Sequence, residues 1–449
     1  MDARVSATDR DADLFPVLGE AGRAMLDFLR EHPSAPIFRN QSGHKLTAGE
    51  VAAVRGAEAE VLEARVGWSA SPAWLPDFIA RTWAAVPYFR RQGAAPARLE
   101  DVPPTSRADL ARDVAAFVPD GLPLDRLIQY ATSGTTGHPL LVPSHPLVAA
   151  GYLAHHKRAL ARVGIEPTAG AGRVGVALLG FQKKCFTYAS VTPAMGESGL
   201  VKLNLHPDDW RDPADRARYL EALDAEVISG DPISFAELLA LDARLAPRAM
   251  LSTAMALATG LRDRLTARFG CPVLDLYSMN EAGPIAVADE RAGGHVLLQP
   301  RLLVEILAPD GSRRPPGERG EVALTGGFNH YLPLLRYRTG DFAALDLAGA
   351  EPVLVALTGR RPVRFRAADG SWKNNVDVSH ALAPHAAAQT ALHQATDGSL
   401  CLRARGGDLA AMRDSLALLF GAGATIEVAE LVADEKVLSY TSDLLDAEP

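Results

Sequence analysis

Between Arg173 and Tyr277 short apolar runs alternate with amphipathic ones, and few folds accept that alternation. Arg173 to Leu179, Val227 to Ser229, Met250 to Thr253 and Val273 to Tyr277 read as strands. Ala217 to Leu223, Phe235 to Leu245 and Leu261 to Phe269 read as helices. Strands that alternate with helices predict an α/β fold, a mostly parallel sheet with helices on its faces. Ligands on such sheets bind beyond the carboxyl ends of the strands. Two polar segments fall at ends of this kind: Thr132 to Pro139, after the apolar run Leu127 to Ala131, and Tyr277 to Glu281.

The flanks differ in texture. Up to about Asp113 the chain reads as mostly helical, with amphipathic patterns over Glu20 to Glu31 and Trp74 to Arg91. Pro103-Pro104-Thr105-Ser106 then breaks the chain, and Ser106 is placed to cap a short helix through Asp113. Leu147 to Arg162 reads as a helix after the loop at Thr132. From Val296 the pattern becomes short strands: Val296 to Gln299, Leu302 to Leu307 and Glu321 to Thr325, with a hairpin-type turn at Pro309-Asp310-Gly311. This is a small β region appended to the α/β part. A boundary near Gly359-Arg360-Arg361-Pro362 divides the chain into a large domain, 1–360, and a small α+β domain, 361–449.

Composition removes several classes of function. The net charge of −8 is wrong for a nucleic-acid binder, which needs a basic surface. No apolar run is long enough to span a bilayer, so no membrane partner is expected. The N-terminus shows no signal-peptide core, and cytoplasmic localisation is the expectation. Cys185, Cys271 and Cys401 are far apart and odd in number, which suits neither a disulfide frame nor a metal cluster. A homodimer stays an open option.

Four stretches carry chemistry. Thr132-Ser133-Gly134-Thr135-Thr136-Gly137-His138-Pro139 places small hydroxyl residues between glycines, a composition that turns amide and hydroxyl groups toward one point and so cradles phosphate oxygens. It is not a Walker loop, since no Lys follows Gly137; a plain surface turn is the competing reading. Tyr277-Ser278-Met279-Asn280-Glu281 offers a flat ring for a purine-type base, an amide for a phosphate and a hard oxygen ligand for Mg²⁺. In Arg336-Tyr337-Arg338-Thr339-Gly340-Asp341 the carboxylate after Gly340 suits a pair of ribose hydroxyls; the alternative is a turn in which Arg338 and Asp341 form an ion pair. Arg360, in Thr358-Gly359-Arg360, reaches for the same ribose or a phosphate.

In order and approximate spacing, these stretches resemble the adenylate-forming superfamily of acyl-CoA synthetases, peptide-synthetase adenylation domains and luciferases. The segment Pro103 to Leu110 and the run Pro333 to Asp341 are most similar to the phenylacetate–CoA ligase branch. The resemblance implies a carboxylic acid that attacks the α-phosphate of ATP, giving an acyl-adenylate and pyrophosphate, followed by transfer to the thiol of CoA. It implies that Ser133, Gly134, Thr135, Thr136 and Gly137 hold the outer phosphates and that Tyr277 and Ser278 border the adenine. By the same carry-over Asn280 touches the α-phosphate or the acid, Glu281 binds Mg²⁺, and Asp341 with Arg360 grips the ribose. A Lys near the end of the chain bridges acid and phosphate in the family; Lys436 stands at about that place, in Asp434-Glu435-Lys436, with Lys373 as a weaker rival. Thr135, Asn280, Glu281 and Lys436 are thus the expected catalytic residues.

By analogy with relatives, the acid lies among Phe181, Phe186, Ser252, Thr253, Met255, Met279, Gly283 and Pro284, a modest apolar slot that favours a flat, aromatic acid. Core packing is the competing role for Phe181 and Phe186. His206, in Asn204-Leu205-His206-Pro207, is expected to begin a loop near the substrate, and Lys183 and Lys184 stand beside an apolar strand end. Three departures from the family stand out. No basic residue follows Pro139, which predicts a weaker grip on pyrophosphate and poorer apparent affinity for ATP. Ser278 stands where Gly is usual, and Pro362, with its fixed φ, occupies the hinge position. The hinge and the short C-terminal domain leave open transfer to an amine, a hydroxyl or a carrier-protein thiol instead of CoA; a third reading, a protein of the same fold that binds an acyl or nucleotide ligand without turnover, is opposed by the presence of Glu281, Asp341 and Arg360 together.

Overall fold

The computed structural model describes residues 7–131, 140–182, 185–359, 363–431 and 440–444. The chain divides into two compact units that interleave along the sequence. One comprises Met1–Gly56, Leu160–Asp275 and Val363–Pro449, the other Ala57–Ala159 and Leu276–Pro362.

The first unit is built on the predicted α/β alternation. Its sheet runs in the order Tyr188–Thr192, Ser198–Asn204, Val174–Gly180, Val227–Gly230, Ala249–Ser252 and then the start of Val273–Met279. All neighbours are parallel except the edge strand Tyr188–Thr192. The helices that cover it begin where local chemistry dictates. Asp231 caps Pro232–Ala240 by accepting from the Ser234 amide at 2.7 Å, so that helix starts three residues before Phe235, the first of its read pattern. Pro232 at its first turn loses nothing, because that N–H would be unpaired in any case. Glu226, with its side chain fully buried, ties the start of this sheet together. Its carboxylate accepts from the Thr168 amide at 2.9 Å, the Ala169 amide at 2.7 Å and the Arg248 guanidinium at 2.6 Å.

Within the same unit the C-terminal residues form their own apolar cluster around Phe365, Leu402, Met412, Leu416 and Phe420. A four-stranded sheet, ordered Ile426–Glu430, Leu400–Arg405, Gln389–Gln394 and Tyr440–Ser442, packs with the helices Asn375–Leu382 and Leu409–Phe420. This is the α+β character expected after residue 360.

The second unit is mostly antiparallel. Its strands run in the order Gly283–Asp289, Gly294–Leu297, Val353–Thr358, Leu334–Asp346, Arg319–Gly326 and Leu302–Leu307, the first pairing with the end of Val273–Met279. The β region is therefore larger than the few strands expected from Val296 onward. The short strand Thr105–Ser106 joins Leu334–Asp346 in parallel, Thr105 opposite Tyr337. Ser106 caps Arg107–Arg112 as expected: its amide and its hydroxyl both donate to Asp109, at 2.9 and 2.7 Å. The pattern from Trp74 to Arg91 is not one helix. It ends at Ala85 and restarts as Pro87–Arg90, because Pro87 cannot donate to the preceding turn. Ile128–Ala131 and Leu141–Ser144 form a separate hairpin. The loop between them, with Ser133, Gly134, Thr135, Thr136 and Gly137, lies outside the described residues, as do Lys183, Lys184, Arg360, Pro362 and Lys436.

Candidate nucleotide and acid site

Two of the four chemistry-bearing stretches are described in the second unit, and its sheet brings them together. Val273–Met279 turns at Asn280 and Glu281 and returns as Gly283–Asp289, with Gly283 opposite Met279 and Pro284 opposite Ser278. The turn is held from behind. Gln299, 3% exposed, donates to the carbonyls of Ala282 and Pro284, both at 2.7 Å. Ser278 lies on the strand without a left-handed φ, so this backbone does not require a Gly there. Gly283 has no such latitude. Its φ is +72°, and a Cβ would come within 2.5 Å of Phe328 Cζ. Phe328 meets Tyr152 edge-on at 5.3 Å, and the Tyr152 hydroxyl donates to the Asn280 carbonyl at 3.4 Å. Gly283 thus serves the seating of two aromatic rings behind the turn.

Asp341 does not lie in a terminal turn. It sits inside the long strand Leu334–Asp346, where Arg338 pairs with Ala323 and Phe342 with Glu321. Three residues, Thr339, Gly340 and Asp341, therefore oppose Val322 alone. The bulge lifts Asp341 out of the ladder, and Gly340 supplies the φ of +79° that it needs. Glu321 accepts from the Gly340 amide at 3.1 Å and Thr339 donates to the Val322 carbonyl at 3.0 Å, which fixes the bulge. Arg338 pairs with Glu321 at 2.9 Å, not with Asp341, so the turn ion pair does not form.

The bulge brings Asp341 to the end of the neighbouring motif. The Tyr277 hydroxyl donates to Asp341 Oδ2 at 2.7 Å. Burial, followed by the Asp341 charge, holds the Tyr277 phenol well above its ordinary pKa, so it remains a donor. A second Tyr–carboxylate pair lies alongside. The Tyr337 hydroxyl donates to Glu281 Oε1 at 3.0 Å, and Arg107 Nη1 stands 3.6 Å from the same oxygen. Glu281 is 3% exposed. Burial, then the Glu281 charge, raises Tyr337 as well. Neither Tyr337 nor Arg107 was singled out from sequence. Alternation along the strand offered one signal: Tyr337 and Asp341 lie four residues apart in a single run. Arg107 offered none, since its contact depends on the pairing of Thr105 with Tyr337.

The expected acid-binding residues fall in both units. Met279 is half-buried against the core of the second unit, and Asn280 is exposed at the turn. In the first unit Phe181, Ser252 and Thr253 occupy the carboxyl-terminal edge of the parallel sheet, following Val174–Gly180 and Ala249–Ser252. The Thr253 amide donates to the Gly230 carbonyl at 2.9 Å, Ser252 is fully buried, and Met255 follows in a short turn. Phe181 packs against the apolar cluster of that unit, and its ring lies 5.5 Å from that of His206. Phe186 is 50% exposed and meets Tyr188 edge-on, so the described structure gives it no core role.

A parallel α/β sheet, an antiparallel region with a bulged Gly-Asp strand and a small α+β segment can be compared with known proteins as a set. The chain aligns with 2-hydroxyisobutyryl-CoA ligase in its postadenylation state at a TM-score of 0.58 and 18% identity, covering 89% of this chain and 90% of that one. The fold is that of the adenylate-forming CoA ligases. The sequence is similar to phenylacetate-coenzyme A ligase of Thermus thermophilus, 27% identical over 299 residues, which span 60% of this chain and 64% of that protein. A shorter stretch of 89 residues is 33% identical to phenylacetate-coenzyme A ligase of Escherichia coli, covering 19% of this chain and 20% of that one. The chain thus spans less than two thirds of the curated relatives it matches. No family model matches it. On the adenylate-forming fold the turn at Glu281 and the bulge at Asp341 are adjacent through the sheet of one unit, whereas Phe181 and His206 stand at the sheet edge of the other.

No group of three or more His, Cys, Asp or Glu side chains that could hold a metal ion occurs among the described residues. No helix among them is long and apolar enough to cross a membrane.

Proposed function

We propose that the protein activates a carboxylic acid with ATP, forming an acyl-adenylate and pyrophosphate, and then transfers the acyl group to the thiol of CoA. The observation that carries this reading is the pair of Tyr–carboxylate contacts, Tyr277 to Asp341 and Tyr337 to Glu281, built on the adenylate-forming fold. A protein that only bound an acyl or nucleotide ligand would not need a metal-binding carboxylate at Glu281 together with a ribose-binding one at Asp341. The similarity to phenylacetate-coenzyme A ligases supports an aromatic acid as substrate.

In this reading Glu281 is the protein ligand of Mg²⁺. The ion keeps waters and substrate phosphates as its other ligands, so one or two carboxylates are what it takes from a protein. Glu281 fits: it is a buried carboxylate whose Oε1 is already oriented by Tyr337. Bound Mg²⁺ would neutralise charge developing on the phosphates. Asp341 accepts from the ribose hydroxyls, Asn280 at the exposed turn meets the α-phosphate or the acid, and the Tyr277 ring borders the base. The loop Ser133 to Gly137, Arg360 and Lys436 complete the nucleotide site, with 361–449 as a mobile second domain. Cytoplasmic localisation and a homodimer belong to the same proposal.

The test is acid-dependent pyrophosphate release over a panel of aromatic acids, with acyl-CoA followed by mass spectrometry. Pyrophosphate release with thioester formation is expected. An adenylate that persists until an amine or a carrier protein is added would move the acceptor away from CoA, and silence with every acid would leave only a binder.

Asp341 separates ribose recognition from packing. Asp341→Ala is expected to weaken ATP binding by roughly tenfold to a hundredfold, the range for a hydrogen bond to a charged acceptor. Tyr277→Phe keeps the ring and removes only the hydroxyl that points at Asp341, and a change of less than about fivefold is expected, since a new acceptor comes with the ribose. Calorimetric titration of both variants with ATP decides between the roles. Equal losses would mean that Asp341 serves mainly to hold Tyr277.

A further inference from the structure

The carboxyl-terminal edge of the first unit's sheet carries a ring pair, Phe181 of the expected acid slot and His206, whose part in choosing the acid has not been assigned. His206 follows the strand Ser198–Asn204, and Phe181 follows its parallel neighbour Val174–Gly180. Their ring centroids are 5.5 Å apart and tilted by 37°. Both residues are held in place by Asn204, which is 1% exposed. Asn204 Oδ1 accepts from the amides of Gln182 at 3.1 Å and His206 at 3.3 Å. Its Nδ2 donates to the Gln182 carbonyl and to Asp209 Oδ2, each at 2.8 Å. One buried amide therefore orders the segment after each ring.

The same geometry sets the tautomer of His206. The Asp208 amide donates to Nδ1 at 3.3 Å, and the imidazole caps the short turn Pro207–Asp209. Asp208 Oδ2 also lies 3.7 Å from Nδ1, a separation too long for a hydrogen bond, so the amide contact governs. With Nδ1 an acceptor, the neutral ring carries its proton on Nε2. The side chain is 18% exposed. An N–H donor thus stands beside an aromatic platform, at the strand ends where ligands of α/β sheets bind.

We propose that His206 is a specificity-determining residue that selects aromatic acids bearing a hydrogen-bond acceptor on the ring, with Phe181 as the platform for that ring. This rests on the acid-activating reading above. An unsubstituted aryl group laid over Phe181 takes water away from Nε2–H and returns nothing, whereas an acceptor substituent restores the lost bond.

Isosteric pairs provide the test: the methoxybenzoates and methoxyphenylacetates against their ethyl counterparts, which match in shape and lack the oxygen. Binding to the full chain is measured by calorimetry without ATP, and pyrophosphate release is measured in parallel. One methoxy isomer is expected to bind roughly tenfold or more tightly than its ethyl partner. His206→Phe should abolish that preference, and His206→Asn, which keeps an acceptor for the Asp208 amide, should do the same with an unchanged melting temperature. Equal binding of every methoxy and ethyl pair by the wild type overturns the proposal, as does a preference that survives both substitutions. The calorimetric arm reads the selectivity whether or not pyrophosphate appears. Selective binding without pyrophosphate release would therefore count against the ligase reading and leave the role of His206 standing.

Discussion

Glu281→Gln is expected to lower acid-dependent pyrophosphate release by roughly a hundredfold to a thousandfold, the usual loss when one preorganised electrostatic partner of a developing charge is removed. The glutamine matches the shape of the carboxylate. Its Oε1 can still accept from Tyr337, which now donates at 3.0 Å, so the turn between Val273–Met279 and Gly283–Asp289 should persist. What disappears is the charge that faces Arg107 and, in the proposed reaction, Mg²⁺. Glu281→Ala is a poorer experiment. It strands a buried Tyr337 hydroxyl, and an unpaired buried donor costs about 1–3 kcal/mol, so lost activity would mix with lost stability. The diagnostic measurement is the Mg²⁺ dependence of ATP binding in Glu281→Gln, read by calorimetry beside the turnover assay. A variant with wild-type turnover and wild-type Mg²⁺ dependence would show that Glu281 is a structural carboxylate.

The second large effect concerns stability. Arg336→Met is expected to destabilise the fold by about 3–5 kcal/mol, the cost of removing one partner from a buried ion pair. Arg336 is 3% exposed and Glu305 fully buried, with Arg336 Nε 3.4 Å from Glu305 Oε2. Arg313 Nε holds the other oxygen of Glu305 at 2.9 Å. The Arg336 guanidinium also donates to the carbonyls of Val102 at 3.1 Å and Gly311 at 2.7 Å, which lose their partner with it. Arg336 has a φ of +43°, a strained backbone for a long side chain, and the surrounding bonds hold it there. Urea denaturation should show the loss. Arg336→Met combined with Glu305→Met should recover part of it, because the two most deeply buried charges then carry no desolvation penalty and Arg313 keeps Glu100 at 3.4 Å. A single-variant loss below about 1 kcal/mol would mean that Arg313 alone suffices for Glu305.

Features that depend on a few neighbouring residues were legible in the chain. Leu302–Leu307 is a strand with the bounds its apolar run shows, and Glu20–Glu31 is a helix with the bounds of its amphipathic pattern. Ser106 caps the short helix that follows the break at Pro103-Pro104. The helix Ala48–Glu63 falls in the stretch that reads as mostly helical, but no pattern of its own delimits it: only Val51 and Val54 of its sixteen residues are buried, so no apolar stripe marks it. The strands Tyr188–Thr192 and Ser198–Asn204 carry no clear local signal either. They mix Ser, Thr and Lys with apolar residues, and it is sheet position, not local composition, that buries them.

The site divides along the same line. Residue types and their order are written in the chain: the phenol and carboxylate of Tyr277 and Glu281, the Gly340-Asp341 pair, and the βα alternation that supplies strand ends. Which of them face one another is set by strand pairing in three dimensions. Asp341 meets Tyr277 because three residues bulge opposite Val322, and Glu281 meets Tyr337 across 56 positions of sequence. Arg107 reaches the same carboxylate because Thr105 pairs with Tyr337. Propensity and spacing act over a few residues. Register and bulges are fixed by the burial of whole strand faces, where a slip of one residue turns every side chain to the wrong side.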